Sequence, residues 1–174
     1  MSLRKAIELS KEKHKDQKWG PYPYGEHLSR VFLTVIYYSA KENIFNQSDL
    51  EKLKEAAWLH DIVEDTTVTL EYIRKEFGDE VADIVDSVTD EDGATRKERK
   101  EKTFSKTKEN RLGVFLKLCD RLVNVRAARY PEKDNSDAGK YLSIYKSEHE
   151  YFKKTLKIEG EYDSLWTTLD DLLK

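Results

Sequence analysis

Apolar positions along the chain recur with helical spacing wherever they are regular. Leu28, Val31, Phe32 and Val35 stand at i, i+3, i+4 and i+7, as do Leu112, Phe115, Leu116 and Cys119, a pattern that lines one face of a helix. The polar breaks between such stripes predict helices over 3–17, 26–42, 48–64, 69–76, 79–89, 94–108, 110–128, 137–157 and 162–173, and an all-α architecture. Some breaks have a local cause. Gly20-Pro21-Tyr22-Pro23-Tyr24-Gly25 excludes a continuing helix and reads as an ordered loop or hinge. Ser48 followed by Glu51 has capping-box spacing for the start of the third helix, and Gly78 ends the short helix before it.

Composition narrows the picture. A chain of 174 residues fits one domain over residues 1–174 with a sizeable core. Seven Gly and three Pro are too few for a turn-rich β-sandwich. The single cysteine, Cys119, excludes an internal disulfide and a cysteine-based zinc cluster and fits a reducing compartment. No stretch approaches the roughly 20 apolar residues of a membrane span, and the charged start has no signal-peptide core. We expect a cytoplasmic protein without a membrane partner. A net charge of −3 argues against a polyanion-binding protein. The basic run from Arg96 to Arg111, eight cations against three carboxylates, is a local excess without an aromatic stacking series, so no nucleic-acid partner is expected.

The candidate chemistry lies on three of these helices. In His60-Asp61-Ile62-Val63-Glu64-Asp65, a continuing helix would put His60 with Glu64 and Asp61 with Asp65 along one side. Leu53, Ala56, Ala57 and Leu59 make the same helix core-facing, so its last turn carries carboxylates toward the interior, where they need a cation or hydrogen-bond partners. Asp120 borders the apolar stripe of its helix, four residues after Leu116 and four before Asn124; a structural pairing with Arg121 or a neighbouring helix accounts for it equally well. His27 follows the Pro/Gly loop, and a lone histidine there is more often structural. Together His27, His60, Asp61 and Asp120 form a mixed nitrogen and oxygen set suited to a divalent transition metal. Such an ion lowers the pKa of water and polarises a phosphoryl oxygen, which is phosphohydrolase chemistry.

His27, His60-Asp61 and Asp120 resemble the H…HD…D signature of the HD-domain metal-dependent phosphohydrolases. Pro23-Tyr24-Gly25-Glu26-His27, Ala57 to Thr66, Phe77-Gly78 with Val81, Ile84 to Asp86 and Val88-Thr89, and Leu116 to Arg126 resemble more narrowly the hydrolase domain of the RelA/SpoT alarmone enzymes, over roughly residues 8–128. The most specific element is the Glu64-Asp65 pair three residues beyond His-Asp. The resemblance implies an HD-domain helical bundle and a stand-alone small alarmone hydrolase of the metazoan SpoT type, using Mn²⁺ or another divalent transition metal to remove the 3′-pyrophosphate of guanosine tetra- or pentaphosphate. It implies His27, His60, Asp61 and Asp120 as metal ligands, and Glu64 and Asp65 as the residues that orient or deprotonate water and assist the leaving group. Asn124 would contact the ribose.

Lys18 stands where the family usually has an Arg that packs on the guanine base. Leu28 replaces a usual Pro and Val123 a usual His. Glu98-Arg99-Lys100 matches a family Glu-Arg-Lys stretch, which makes Arg99 and Lys100 candidates for phosphate contacts, although for most of that run a solvated helix face with i,i+4 pairs explains the charges better. Tyr141 and Tyr145, one helical turn apart, are candidates to close the nucleotide pocket or to fill the core. Trp19 either covers a base or packs the first helix. His14 and His149 read as surface or structural residues. Two other readings stay open: a phosphatase for another nucleotide, such as NADPH or a 5′-mononucleotide, and a regulator that binds an alarmone or a partner without turnover. A homo-oligomer is compatible with all three.

Overall fold

The computed structural model describes residues 2–132 and 135–174. Helices dominate them: α1 (Ser2–Lys13), α2 (Tyr24–Glu42), α3 (Gln47–Leu59), α4 (Ile62–Asp65), α5 (Leu70–Phe77), α6 (Asp79–Val88), α7 (Arg96–Thr107), α8 (Arg111–Arg129), α9 (Ala138–Leu156) and α10 (Asp163–Leu173). The Pro/Gly segment forms a two-stranded antiparallel hairpin, β1 (Lys18–Trp19) with β2 (Tyr22–Pro23), turning at Gly20-Pro21. Among the described residues no helix is long and apolar enough to cross a membrane.

The two stripes read from the sequence meet in the core. Leu28, Val31 and Val35 of α2 and Phe115, Leu116 and Cys119 of α8 are fully buried, together with Leu53, Ala56, Ala57 and Leu59 of α3. Each large apolar side chain removed from water here contributes about 1.5–3 kcal/mol before conformational entropy is subtracted. Helix α8 is central and touches α2, α3, α6, α7, α9 and α10. Two aromatic clusters, Phe45 with Phe115 and Tyr162, and Phe104 with Phe152 and Trp166, pack among these helices.

Several boundaries differ from the sequence-based expectation. Helix α1 stops at Lys13 instead of 17, because the chain must turn back into the hairpin. Helix α3 begins one residue before Ser48, and its cap is Asn46, whose side chain accepts the Asp49 N–H at 2.9 Å; the Ser48–Glu51 capping box does not form. A reciprocal arrangement appears instead at α7, where Thr95 accepts the Glu98 N–H and the Glu98 carboxylate accepts the Ala94 N–H. The expected 48–64 helix breaks at His60-Asp61 into α3 and α4. Gly78 does end α5, with φ +92. In the basic run, Lys97–Glu101 and Lys102–Glu98 are i,i+4 surface pairs, whereas Lys100 turns inward onto Asp90 and the exposed Arg96 pairs with Glu148.

Close approach of α8 to α6 depends on Gly113. A Cβ there would lie 2.0 Å from Ser87 Oγ and 3.1 Å from Ser87 Cβ, and the Ser87 hydroxyl is already committed to the Ile84 carbonyl at 2.7 Å. We expect Gly113→Ala to destabilise the fold by about 1–3 kcal/mol through overpacking, measured by urea unfolding. Unchanged stability would show that the two helices are not held this close.

Candidate metal centre and adjoining cavity

Three chain segments deliver the candidate donors. His27 lies in the first turn of α2, Asp120 in the middle of α8, and His60 and Asp61 in the break between α3 and α4. On an unbroken helix adjacent side chains diverge by about 100°. Here the α3 ladder ends at Leu59, Asp61 takes φ −100 and ψ −2, and α4 restarts with Asp65 N–H donating to the Asp61 carbonyl at 2.9 Å. The break lets neighbouring residues face the same point, with His60 Nε2 3.0 Å from Asp61 Oδ2.

His27 Nε2 lies 3.3 Å from His60 Nε2, 3.3 Å from Asp61 Oδ2 and 3.4 Å from Asp120 Oδ1. His60 Nε2 and Asp120 Oδ1 are 3.9 Å apart. Ligands bound at about 2.0–2.2 Å to one ion stand about 2.8–3.6 Å from their cis or tetrahedral neighbours; the His27, His60 and Asp61 atoms lie within 4.8 Å of one another, and Asp120 Oδ1 meets that group through His27. Both imidazoles are buried. The His60 Nδ1–H donates to the Ala57 carbonyl at 2.9 Å, which leaves Nε2 with its lone pair toward the cluster, the arrangement of a metal-binding imidazole. The His27, His60 and Asp61 donors therefore fit a divalent ion, with Asp120 alongside His27. Without one, protons take its place. Burial opposes charge on His60, but the facing Asp61 and Asp120 carboxylates outweigh it and push its pKa up to about 9. Burial likewise opposes the Asp61 charge, and His60 and His27 reverse that, holding Asp61 well below the usual carboxylate range.

Glu64 and Asp65 follow on α4 at the solvent edge of this cluster. Partial desolvation and the Asp90 carboxylate raise the Glu64 pKa, and the Asp90 N–H donates to Glu64 Oε2 at 3.1 Å. Asp65 is raised by desolvation and by Asp61. Tyr24, at the start of α2, donates its hydroxyl to Asp61 Oδ2 at 2.7 Å; burial and the two nearby aspartates keep it protonated, far above the usual phenol range.

On the other side of Asp120 a cavity of about 360 Å³ opens, lined by Lys18, Trp19, Tyr22, Arg30, Asn124, Tyr141 and Tyr145 among others. Asn124 joins the two regions: its amide donates to Asp120 Oδ1 at 2.6 Å and its carbonyl accepts the Trp19 indole N–H at 3.1 Å. The Arg30 guanidinium sits over the Trp19 and Tyr22 rings, 5.2 and 5.1 Å from their centroids. Tyr141 and Tyr145 stack at 6.4 Å.

Lys100 and Arg99 do not line the cavity. Lys100 binds both Asp90 oxygens at 2.7 and 2.6 Å, on the Glu64 side, and burial together with Lys117 lowers its pKa. Arg99 lies against Gly93. Near Lys100 stand Lys117, which donates to the Val88 carbonyl, and Arg96, which shares Glu148 with Arg121. Sequence reasoning did not single out Arg30, Tyr24, Asp90 or Lys117 for the site. Arg30 carried a detectable signal, being one helical turn after His27; Asp90 and Lys117 come together only through the α6–α7 connection.

Residues 6–147 match the HD domain family. A guanosine-3′,5′-bis(diphosphate) 3′-pyrophosphohydrolase of Aquifex aeolicus is 34% identical over 150 residues, covering 82% of this chain and 20% of that protein. The guanosine-3′,5′-bis(diphosphate) 3′-pyrophosphohydrolase MESH1 of Xenopus tropicalis is 31% identical over 125 residues, covering 71% of this chain and 68% of that one. The chain spans 12% to 20% of the length of the first three bacterial relatives it matches. Among solved structures, a metazoan ortholog of SpoT described as hydrolysing ppGpp superposes with a TM-score of 0.72 at 24% identity, covering 98% of this chain and 93% of that one. A protein of Listeria monocytogenes EGD-e gives 0.60 at 24% identity, covering 87% and 96%. With the family matched over most of its length and paired imidazole and carboxylate donors standing where three helical segments converge, the chain belongs to the HD domain family.

Proposed function

We propose that the protein hydrolyses the 3′-pyrophosphate of guanosine tetra- or pentaphosphate, releasing pyrophosphate and GDP or GTP. The observation that carries this reading is the Glu64-Asp65 pair held beside the four-donor cluster, with Glu64 anchored by the Asp90 N–H. In this reading His27, His60, Asp61 and Asp120 would hold a divalent ion such as Mn²⁺, which would supply Lewis-acid polarisation of the phosphoryl oxygen and a lowered water pKa.

The chain's own groups do the rest. Glu64 takes a proton from the attacking water at its free carboxylate oxygen, while its partner oxygen stays on the Asp90 amide. The bond from phosphorus to the ribose 3′-oxygen breaks, and Asp65 returns a proton to that oxygen, so one water is consumed and no further reactant is needed. Asn124, already between Asp120 and the cavity, meets the ribose. Lys18, Trp19 and Tyr141 enclose the base. Lys100, with Arg96 and Lys117, offsets phosphate charge from the Glu64 side; Arg99 stands outside this group. The exposed Lys18, lacking the planar fork of an arginine, favours a second reading in which another nucleotide occupies the cavity.

The direct test is product analysis of the Mn²⁺-loaded protein on ppGpp, NADPH and 5′-mononucleotides side by side. Pyrophosphate and GDP from ppGpp are expected; orthophosphate from another nucleotide with ppGpp untouched would move the activity to a different HD phosphohydrolase. Asp61→Ala should abolish both metal binding and turnover. Glu64→Gln should bind metal normally while kcat falls by about 10²–10⁴-fold. Chelation should lower the melting temperature, since an ion at 100 times its Kd stabilises the native state by about 2.7 kcal/mol; a melting temperature indifferent to chelator would contradict a resident ion.

A further inference from the structure

His14, Gln17 and Tyr24 lie outside the four-donor cluster, yet together they reach both Asp61 and Asp65. The backbone after α1 is tightly tied: His14 N–H donates to the Ser10 carbonyl, Gln17 N–H to the His14 carbonyl and Tyr24 N–H to the Gln17 carbonyl, at 3.0, 3.0 and 3.1 Å. Ser10 Oγ donates to the Trp58 carbonyl at 2.6 Å, which joins this end of α1 to the last turn of α3. The His14 ring is 2% exposed and lies parallel to the Tyr24 ring, with centroids 4.7 Å apart and planes 11° from coplanar. Its Nδ1 stands 2.6 Å from Gln17 Oε1, and the Gln17 amide donates to the Asp65 carbonyl at 2.8 Å. Its Nε2 is buried and meets no hydrogen-bond partner among the described residues.

Asp61 stands at the break between α3 and α4, where its side chain meets groups from other elements. The shortest of these contacts is from the Tyr24 hydroxyl, which meets the same Oδ2 that faces both imidazole nitrogens. The Tyr24 oxygen lies on the axis of its ring, so its place depends on the tilt of the whole side chain, which the neighbour lying flat against the ring limits. That neighbour is His14. Accepting an unpaired buried nitrogen at His14 is unfavourable in itself, and filling space would be better served by an apolar ring; the imidazole is explained by Nδ1, which orients Gln17 toward α4.

We infer that Tyr24 is a positioning residue that sets the orientation of Asp61, and that the His14–Gln17 brace holds Tyr24 and the α4 turn carrying Asp65 in a single register. Groups that orient a ligand from outside the coordination sphere typically change affinity by about 10–100-fold when removed. The inference rests on reading the four donors as metal ligands, and the test separates the two.

Mn²⁺ affinity is measured by isothermal titration calorimetry on the full chain, alongside the melting temperature of the metal-free protein. Tyr24→Phe keeps the stacked ring and removes only the hydroxyl. Its Mn²⁺ Kd is expected to rise about tenfold or more. His14→Ala should weaken binding in the same direction, and the double variant should bind no more weakly than Tyr24→Phe alone, because His14 acts through the hydroxyl it aligns. A merely structural role would lower the metal-free melting temperature and leave the affinity of the folded protein unmoved, so a Tyr24→Phe Kd equal to that of the unsubstituted protein overturns the inference. Multiplying losses in the double variant overturn the brace. Absence of Mn²⁺ binding by the unsubstituted protein overturns the metal reading as well.

Discussion

Two imidazole nitrogens 3.3 Å apart, both buried and both facing carboxylates, form the constraint around which the molecule is arranged. Left alone, such a cluster is expensive. Removing ionised groups from water costs several kcal/mol each unless charge and geometry compensate closely. Protonation compensates in part, which is why His60 is pushed up and Asp61 down. A divalent cation compensates more completely, because it satisfies every donor at once. The apolar stripes of α2, α3 and α8 hold the donors in place: Leu28, Leu59 and Cys119, each adjacent in sequence to a donor, are fully buried.

From that centre the site divides by charge and shape. Toward α4 and the α6–α7 connection stand carboxylates that can exchange protons, backed by Lys100, Lys117 and Arg96. Toward the hairpin and α9 lies a cavity walled by aromatic rings, with Arg30 and Lys18 as its cations. Asn124 touches both halves through the two ends of one amide. In the proposed reaction the base of the nucleotide would occupy the aromatic side while its reacting phosphorus reaches the donors and Glu64.

The parts of this arrangement that were legible in the sequence share one property, namely that local spacing determines them. The stripes in α2 and α8 are periodic, and His27 and Asp120 border those stripes, so their approach to the interior follows from helix geometry. The break after Leu59 was not legible, because Leu59 and Ile62 are apolar and buried whether the helix continues or kinks. Cap choice was equally undetermined: Asn46 and Ser48 are both good N-caps, and the chain uses Asn46. Tyr24 on Asp61 and Asp90 on Glu64 join residues 37 and 26 positions apart, and no periodicity encodes such contacts. His14 shows the same limit, since its burial depends on the chain turning at Lys13 and returning through the hairpin.

The central claim is that one divalent ion sits among His27, His60, Asp61 and Asp120. A crystal structure of the protein grown with Mn²⁺, with diffraction recorded at the manganese absorption edge, tests it most directly. The account predicts a single anomalous peak about 2.0–2.2 Å from His27 Nε2, His60 Nε2 and one oxygen each of Asp61 and Asp120. No peak there, with the two imidazoles still in mutual contact in a crystal that carries manganese elsewhere, would contradict it.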